Sequence, residues 1–173
     1  MKAVLISIQP KWCEMIASRK KTIEVRKTRP KIETPFKCYI YCTEGKDTVY
    51  YMAKIGLCET RYDGKVIGEF VCDDIIVDER GENADVFSKY AQLSLVEQKK
   101  YGANKPLFGW HISKLKIYYK PKELGEFRKE GFMTEEQWLY ALYPNTHCHY
   151  AAWAKRFEIT RPPQSWCYVE ELL

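Results

Sequence analysis

Several features that would assign this chain of 173 residues to a particular class of protein are missing from its sequence. No apolar run approaches the ~20 residues of a membrane-spanning helix, and no secretory leader precedes the first apolar stretch. The seven cysteines are odd in number and include no CxxC pair. We therefore expect a cytoplasmic protein that makes no membrane contact. Its thiols are expected to be free, and four lie in apolar segments as candidates for burial: Cys38, Cys42, Cys58 and Cys72.

Motifs for the common catalytic and metal centres are also missing. The sequence has no glycine-rich phosphate loop, no Walker motif and no Ser-His-Asp pattern. Two of the three histidines flank a cysteine in His147-Cys148-His149, and the third is His111. Adjacent ligands suit a single tetrahedral zinc poorly, and no further Cys or His lies at the spacing of a metal site. We therefore predict neither a metal site nor a cofactor.

Positive charge, in contrast, is abundant and is concentrated in the first third of the chain. Residues 1–65 carry 14 Lys and Arg against 7 Asp and Glu, whereas residues 66–173 carry 14 against 16. The densest part is 19–31, RKKTIEVRKTRPK, in which seven of thirteen residues are cationic. A basic surface of this kind fits a nucleic-acid or nucleotide partner but does not by itself require one.

The carboxylate within that stretch, Glu24, stands in a segment that has the pattern of a strand. The alternating Ile23 and Val25 predict that Glu24 and Arg26 share one face while the apolar pair faces the core. Lys21 lies where a helix becomes the strand, so periodicity leaves its direction open. Together Lys21, Glu24 and Arg26 could bind phosphate, recognise a polar ring edge or position a general base. The alternative is a salt-bridge ladder on an exposed strand face.

Two further places supply candidate binding residues. Ser7 ends a predicted strand before Pro10, and such a strand–helix corner offers backbone N–H groups to an anion. Tyr101, Trp110 and His111 could form a stacking surface for a base. The alternatives are an ordinary corner at Ser7, and a Trp110 that belongs to the core beside a strand-face His111.

The order of predicted elements favours one α+β domain over residues 1–173, in which short strands outnumber helices. Helices are predicted after Pro10 and, as two short pieces broken near 93–94, within 83–101. Strands are predicted at 2–8, 22–27, 36–43, 65–73 with an extension at 75–77, 108–112, 115–118 and 167–170. Residues 48–57 are ambiguous, and 131–154 form a helical insertion in which an exposed aromatic surface would favour a protein partner. This pattern indicates a bent, mostly antiparallel sheet or partly closed barrel with helices at its edges.

Residues 19–26, RKKTIEVR, resemble the GxKxxExR motif of ASCH domains, a family with the PUA-like fold. Lys21, Glu24 and Arg26 match the motif, while Arg19 stands in its glycine position. The flanking segments also resemble the family in type and order: LISIQP, GKVIGEFVCDDI, GWHISKLKIY and PPQSWCYVEE. The resemblance covers about residues 1–120 and 158–171, so 127–157 is expected to be an added segment.

The resemblance implies a PUA-like pseudo-β-barrel of bacterial or phage type, with a cleft that is lined by the motif and suited to RNA or a nucleotide. Most members of the family are proposed RNA-binding modules. A small bacterial subgroup hydrolyses N4-acetylcytidine with a Lys, a Thr and a Glu. That Lys corresponds to Lys21, but the Thr position is occupied by Glu24. Another member has been described as a ribonuclease.

We therefore expect first a binding module for RNA, a nucleoside or a nucleotide. In it, Lys21 and Arg26 would contact phosphates and Glu24 would accept hydrogen bonds from a base or ribose. Trp110 or Tyr101 would stack on a base. The alternative is a small hydrolase, in which Glu24 is the general base and Lys21 stabilises the oxyanion. The sequence makes no prediction about oligomeric state.

Overall fold

A six-stranded sheet forms the centre of the computed structural model, which describes residues 1–44, 50–52, 59–103, 105–141 and 147–172. The strands of this sheet are β1 (Lys2–Ile8), β2 (Ile23–Arg26), β3 (Phe36–Cys42), β6 (Lys65–Asp78), β7 (Leu107–Lys122) and β8 (Trp166–Glu170). A separate antiparallel pair consists of β4 (Tyr50–Met52) and β5 (Glu59–Arg61). The α-helices are α1 (Pro10–Ala17), α2 (Ala84–Tyr90), α3 (Leu95–Gly102), α4 (Glu135–Ala141) and α5 (His147–Ala154). Short 3₁₀ turns lie at Leu124–Glu126 and Lys155–Phe157.

The strand order is β2-β7-β6-β3-β1-β8, and neighbouring strands are antiparallel except for the parallel pair β1 and β3. The ladder between β6 and β7 shifts register three times over residues 66–75, and such bulges bend a sheet. The predicted α+β class, with a mostly antiparallel sheet and helices beside it, is therefore confirmed. Within the described ranges the sheet stays open, with β2 and β8 at its edges. The partly closed barrel that the sequence predicted is therefore an open sheet in the structure.

The strands predicted at 108–112 and 115–118 are in fact a single strand, β7. Between its two halves Lys114 has a left-handed backbone, with φ of 47°. The ladder to β6 pairs Val71 with Ser113 but Glu69 with Lys116, so it shifts register at the same place. A bulge therefore joins the two halves of β7. In a sequence pattern such a bulge looks much like a turn. Of the ambiguous residues 48–57, only β4 belongs to the described part of the chain.

The helical region at 83–101 is broken where the sequence predicts it. Helix α3 begins after Ser94, whose hydroxyl accepts a hydrogen bond from the backbone N–H of Glu97. The Glu97 carboxylate in turn accepts from the backbone N–H of Ser94 at 2.9 Å. This capping box satisfies N–H groups that a helix start would otherwise leave unpaired. It fixes the start of the helix that later carries Tyr101 to the site.

Both faces of the central strands are buried, as β3 shows. Cys38, Ile40 and Cys42 contact one apolar cluster, whereas Tyr39 and Tyr41 contact the cluster on the opposite face. Successive side chains of a strand point to opposite faces, so this arrangement follows from the strand geometry of β3. Helix α1 packs on the first face of the sheet, and Phe127 and Ile159 belong to the cluster on the second.

The cysteines whose side chains the structure describes are all free. Four are buried and one is partly exposed: Cys13, Cys38, Cys42 and Cys72, and Cys167 respectively. Burial raises the pKa of the Cys38 thiol well above its usual range. The predicted burial of Cys38, Cys42 and Cys72 is confirmed, and Cys58 lies outside the described residues.

Helix α1 passes the chain to β2 through a tight left-handed exit. The helix begins with Pro10 in its first turn and ends at Ala17, and Arg19 then adopts φ of 60°. Glycine is favoured in this conformation, which gives a physical reason for the glycine of the GxKxxExR pattern. Here Arg19 adopts the same conformation, and its guanidinium donates to the backbone oxygen of Leu115 at 3.4 Å. The exit is therefore retained without glycine.

The aromatic side chains of residues 127–157 pack mainly on one another. The ring centroids of Trp138 and Trp153 lie 4.4 Å apart, and Phe132 stacks on Trp153 at 5.9 Å. Trp138 is only 7% exposed, and the ring centroid of Phe157 lies 4.6 Å from that of Trp153. In the described part of this segment the aromatic residues therefore form a small internal cluster rather than the exposed surface that would favour a protein partner.

Candidate functional site

Separate parts of the chain meet around one cleft of about 950 Å³. The end of β1, the start of α1, strand β2, helix α3 and the loop before β8 all contribute lining residues. Five of the predicted site residues line this cleft: Ser7, Lys21, Glu24, Arg26 and Tyr101. Its volume lies within the range of pockets that hold small ligands, about 300–1,000 Å³.

The floor of the cleft is formed by Lys21, Glu24 and Arg26, which we call the charged triad. Their exposed fractions are only 2%, 6% and 7%. Glu24 lies between the two cations, with Oε1 at 3.0 Å from an Arg26 terminal nitrogen and Oε2 at 3.4 Å from Lys21 Nζ. The triad is therefore a buried ionic cluster and not the exposed salt-bridge ladder that the sequence left open.

Strand β2 explains how Glu24 and Arg26 come to share this floor. Ile23 and Val25 pack against Phe87 and Leu107 on one side of the strand, as the alternation predicts. The opposite side carries Glu24 and Arg26 toward the cleft. The difference from the prediction is that this second side is also covered, so all four residues of the strand are buried.

Lys21 reaches the triad from the turn that precedes the strand. Its backbone N–H donates to Met15 at 3.0 Å, which holds the turn against the end of α1. Its Nζ donates to the backbone oxygen of Ala91 at 2.7 Å, just after α2, and lies 4.9 Å from the centroid of Trp12. Burial lowers the pKa of the Lys21 amine, and the charge of Glu24 opposes this shift. The amine is therefore held by groups from three different elements.

Two polar atoms of the charged triad have no hydrogen-bond partner among the described residues. One terminal nitrogen of Arg26 donates to the backbone oxygen of Ser7 at 2.6 Å, but Arg26 Nε makes no hydrogen bond. Glu24 Oε2 also accepts none, although it faces Lys21 at 3.4 Å. Buried polar atoms in proteins are nearly always hydrogen-bonded. One donor and one acceptor of the floor are thus left unsatisfied, and both atoms are themselves shielded from solvent.

The rim of the cleft combines cations with aromatic rings. Lys27 Nζ lies 4.8 Å from the ring centroid of Tyr101, and Lys11 Nζ lies 4.4 Å from that of Trp12. Tyr101 is half-buried, and this burial raises the pKa of its hydroxyl. The exposed Lys100 adds a further positive charge to the lining. The rim is therefore suited to attract an anion beside a flat apolar surface.

Ser7 lines the cleft but uses its own polar groups to hold the loop before β8. Its hydroxyl donates to the backbone oxygen of Pro163 at 2.6 Å, and its backbone N–H donates to that of Ser165 at 2.9 Å. Its backbone oxygen accepts from Arg26. These bonds give Ser7 a role in positioning two walls of the cleft, whereas its predicted contact with an anion stays a prediction.

Trp110 and His111 do not belong to this cleft, and the prediction that they form a stacking surface is wrong. Successive residues of β7 point to opposite faces, so the two side chains cannot line one wall. Trp110 is 0% exposed in the core, where its ring meets Phe36 edge-on at 5.8 Å. The half-exposed His111 instead places Nδ1 at 2.6 Å from an oxygen of Asp73 on β6.

Sequence reasoning missed the cleft residues that come from helices. Trp12 of α1 lies on the cleft wall beside Lys21. Glu97 and Lys100 come from α3, some 70 residues after the motif. The signal that could have pointed to this helix was Tyr101, which adjoins Lys100 and was itself predicted to be a site residue.

Neither a metal cluster nor a membrane span is found in the parts of the chain that the structure describes. No group of three or more His, Cys, Asp and Glu side chains there could hold a metal ion. The side chains of His147 and Cys148 lie outside the described ones. No helix among the described residues is long and apolar enough to cross a membrane.

The comparison with known proteins rests on structure, because no family model and no curated protein matches the sequence. The crystal structure of an ASCH protein from Zymomonas mobilis matches with a TM-score of 0.61 at 18% identity, over 98% of this chain and 88% of that one. Structures of two variants of the same protein, one Tyr to Phe and one Ser to Ala, match with TM-scores of 0.56 and 0.57 at 17% identity. They cover 99% and 98% of this chain, and 92% and 89% of their own. At this identity the likeness establishes the fold. The chain therefore has the PUA-like fold of an ASCH domain, as the motif in 19–26 predicts.

Proposed function

We propose that the chain binds RNA or a nucleotide, with one nucleotide unit seated in the cleft above the charged triad. The observation that carries this proposal is the triad itself, a buried acid between two cations on the floor of an open cleft. Burying three charges is costly unless they are fully paired. Here Glu24 Oε2 and Arg26 Nε are buried without a hydrogen-bond partner, which is more typical of a functional site than of a structural ion pair.

Each part of a nucleotide finds a matching group in the cleft. Glu24 Oε2 and Arg26 Nε are both buried, so a small shift of the floor side chains must accompany binding. Glu24 Oε2 can then accept a hydrogen bond from a base amino group or a ribose hydroxyl, and Arg26 Nε can donate one to a base oxygen or nitrogen. Lys27 and Lys100 on the exposed rim are placed to contact phosphate. The half-buried ring of Tyr101 offers a face to the base. Four cations against two carboxylates in the lining, the second of which is Glu97, favour an anionic ligand.

Titration with single-stranded RNA at two salt concentrations tests the proposal. Affinity should fall as salt rises, because bound phosphates release counterions. Arg26→Gln should weaken binding by about 10- to 100-fold, the range of hydrogen bonds to charged groups. Lys100→Ala, at an exposed position that cannot disturb the core, should lower the salt slope by about 0.7. The matched control is Lys120→Ala, which removes the same charge at an exposed position outside the cleft.

Two outcomes would count against binding in this cleft. The first is an affinity that does not change with salt. The second is an affinity unchanged by both Arg26→Gln and Lys100→Ala, measured on variants whose thermal unfolding shows that they are folded.

A small hydrolase acting on a modified nucleoside or on RNA is the second candidate, and one observation favours it. Burial lowers the pKa of Lys21, which brings an amine closer to the range where it can exchange a proton, and Glu24 lies beside it. The hydroxyl of Ser7 is already committed to Pro163, so a water is the nucleophile in this reading. Incubation with N4-acetylcytidine and with RNA would detect deacetylation or cleavage. Turnover no greater than that of Glu24→Gln would remove this candidate.

A further inference from the structure

A second groove lies next to the cleft. It is lined by the loop of residues 27–34 and by Asp74, Ile75 and Phe108 from β6 and β7. Its volume, about 990 Å³, is close to the 950 Å³ of the first cleft, and both share Lys27 and Thr28 in their linings. The two depressions are therefore neighbours, and we call the shared pair Lys27 and Thr28 the ridge between them. None of the residues predicted from the sequence to form a site lies in the second groove.

The loop that forms this groove is fixed by the last strand of the sheet. Trp166 Nε1 donates to the hydroxyl of Thr28 at 3.0 Å, and the backbone N–H of Lys31 donates to the hydroxyl of Tyr168 at 2.6 Å. Pro30 is buried, and Ile32 packs against the main apolar cluster. A loop held at four places presents its outward side chains in defined directions, so little ordering is needed when a ligand binds.

The outward side chains of the loop are cationic. Lys27, Arg29 and Lys31 are exposed, and no ion pair joins any of them to another described residue. The opposite wall supplies the partly buried faces of Ile75 and Phe108, against which a flat ring can rest. Cations along one wall and an aromatic face along the other are the usual features of a groove that follows a single nucleic-acid strand.

Two carboxylates also line the groove and limit what it can hold. The Asp74 Oδ1 atom accepts from the backbone N–H of Ile75 at 2.8 Å, and Glu33 is exposed at the end of the loop. Three cations against two carboxylates give the groove a small positive balance. A polynucleotide, whose phosphates alternate with hydrogen-bond donors on its bases, suits this mixture better than a free polyphosphate does.

We propose that the second groove is the subsite for the neighbouring nucleotide of a single-stranded polynucleotide whose first unit occupies the cleft. The backbone of the strand crosses the ridge at Lys27 and Thr28. Arg29 and Lys31 then contact the next phosphates, while a base rests on Phe108. This inference rests on the proposed function, and it names the ligand as a strand of several unpaired nucleotides rather than a mononucleotide or a duplex.

The test compares ligands of different length on two double variants. The wild-type chain, Arg29→Ser with Lys31→Ser, and Lys116→Ser with Lys120→Ser are titrated with an equimolar mixture of the four ribonucleoside 5′-monophosphates. They are then titrated with random-sequence single-stranded RNA of six nucleotides and with a six-pair RNA duplex. The control pair is also exposed and cationic but lies on the distal half of β7, outside both depressions. The hydrogen bond from the backbone N–H of Lys31 survives in the variant.

The wild-type chain should bind the hexanucleotide more tightly than the mononucleotides or the duplex. Arg29→Ser with Lys31→Ser should lower the salt slope for the hexanucleotide by about 1.4, which corresponds to about 25-fold weaker binding at 0.1 M salt. The affinity of this variant for mononucleotides should stay within twofold of that of the wild-type chain. Lys116→Ser with Lys120→Ser should change neither the hexanucleotide affinity nor the mononucleotide affinity.

Three results would overturn the inference. If mononucleotides and the hexanucleotide bind wild type equally, or the duplex binds as tightly as the single strand, the second groove holds no neighbouring unit and the proposed function stands. If both variants weaken the hexanucleotide equally, the effect of Arg29 and Lys31 is general electrostatics. If wild type binds no probe at all, the proposed function itself fails, and the inference fails with it.

Discussion

Replacing Glu24 by glutamine removes one charge from the charged triad and almost no volume, so the effect isolates electrostatics. Lys21 and Arg26 would then be two buried cations with no carboxylate between them. Leaving a buried charge without its partner typically costs 3–5 kcal/mol. Because Lys21 and Arg26 keep their bonds to the backbone oxygens of Ala91 and Ser7, we take the lower end. Glu24→Gln should lower the free energy of unfolding by about 3 kcal/mol at pH 7.

The loss should depend on pH because the amine of Lys21 can release its proton. Burial lowers the pKa of Lys21 in the folded chain, so the unfolded chain binds more protons between the folded and unfolded pKa values. Stability from this group therefore increases as the pH rises through that window. Without the opposing charge of Glu24 the pKa of Lys21 falls further, and the window widens toward lower pH. The difference between variant and wild type should thus be largest near pH 7 and shrink toward pH 10.

Urea denaturation at pH 7 and pH 9.5 measures both effects. A loss of about 3 kcal/mol corresponds to a fall in Tm of about 6–12 °C for a chain of this size. Glu130→Gln makes the same chemical change at the exposed pair with Lys2, where Glu130 is 47% exposed, and should cost less than about 1 kcal/mol. If Glu24→Gln costs no more than Glu130→Gln, the triad is not the tightly buried cluster described here. A loss that grows with pH would contradict the reasoning about Lys21.

Three further substitutions test other parts of the structure by urea denaturation. Arg19→Gly should raise the free energy of unfolding by about 0.5–1 kcal/mol, because relieving the left-handed backbone of Arg19 outweighs the added freedom of the unfolded chain. A lower free energy of unfolding would contradict the idea that Arg19 is strained at the end of α1. Gly109→Ala should lower it by about 1–3 kcal/mol, because the added methyl would lie 2.5 Å from the Phe87 ring and 2.9 Å from Ile23. A neutral effect would mean that α2 is free to move away. Trp110→Phe should also lower stability by about 1–3 kcal/mol through the cavity it leaves, yet RNA affinity of the folded variant should stay within about twofold. Weaker RNA binding with unchanged stability would show that Trp110 does belong to the binding site.

The local patterns of the sequence predicted much of the fold because those patterns depend on nearest neighbours. Strand patterns located β1, β3 and β8 to within one residue at each end, and the break in the helical region was predicted near 93–94, where Ser94 precedes α3. The join within β7 was missed because a bulge and a turn interrupt the apolar pattern in the same way. Nothing local distinguished one bent strand from two.

The sequence by itself determined the chemistry of the site and the alternation that turns Glu24 and Arg26 to one side of β2. Only the tertiary structure decided which groups surround them. The amine of Lys21 is held beside Glu24 because it bonds to the backbone oxygen of Ala91, 70 residues away. Trp110 is excluded from the cleft because neighbouring strands enclose it. The groove beside Lys27 exists because the aromatic residues of β8 hold its loop. Contacts between distant parts of the chain leave no periodic signal. A single sequence therefore predicts which side chains form a site but not which groups surround them.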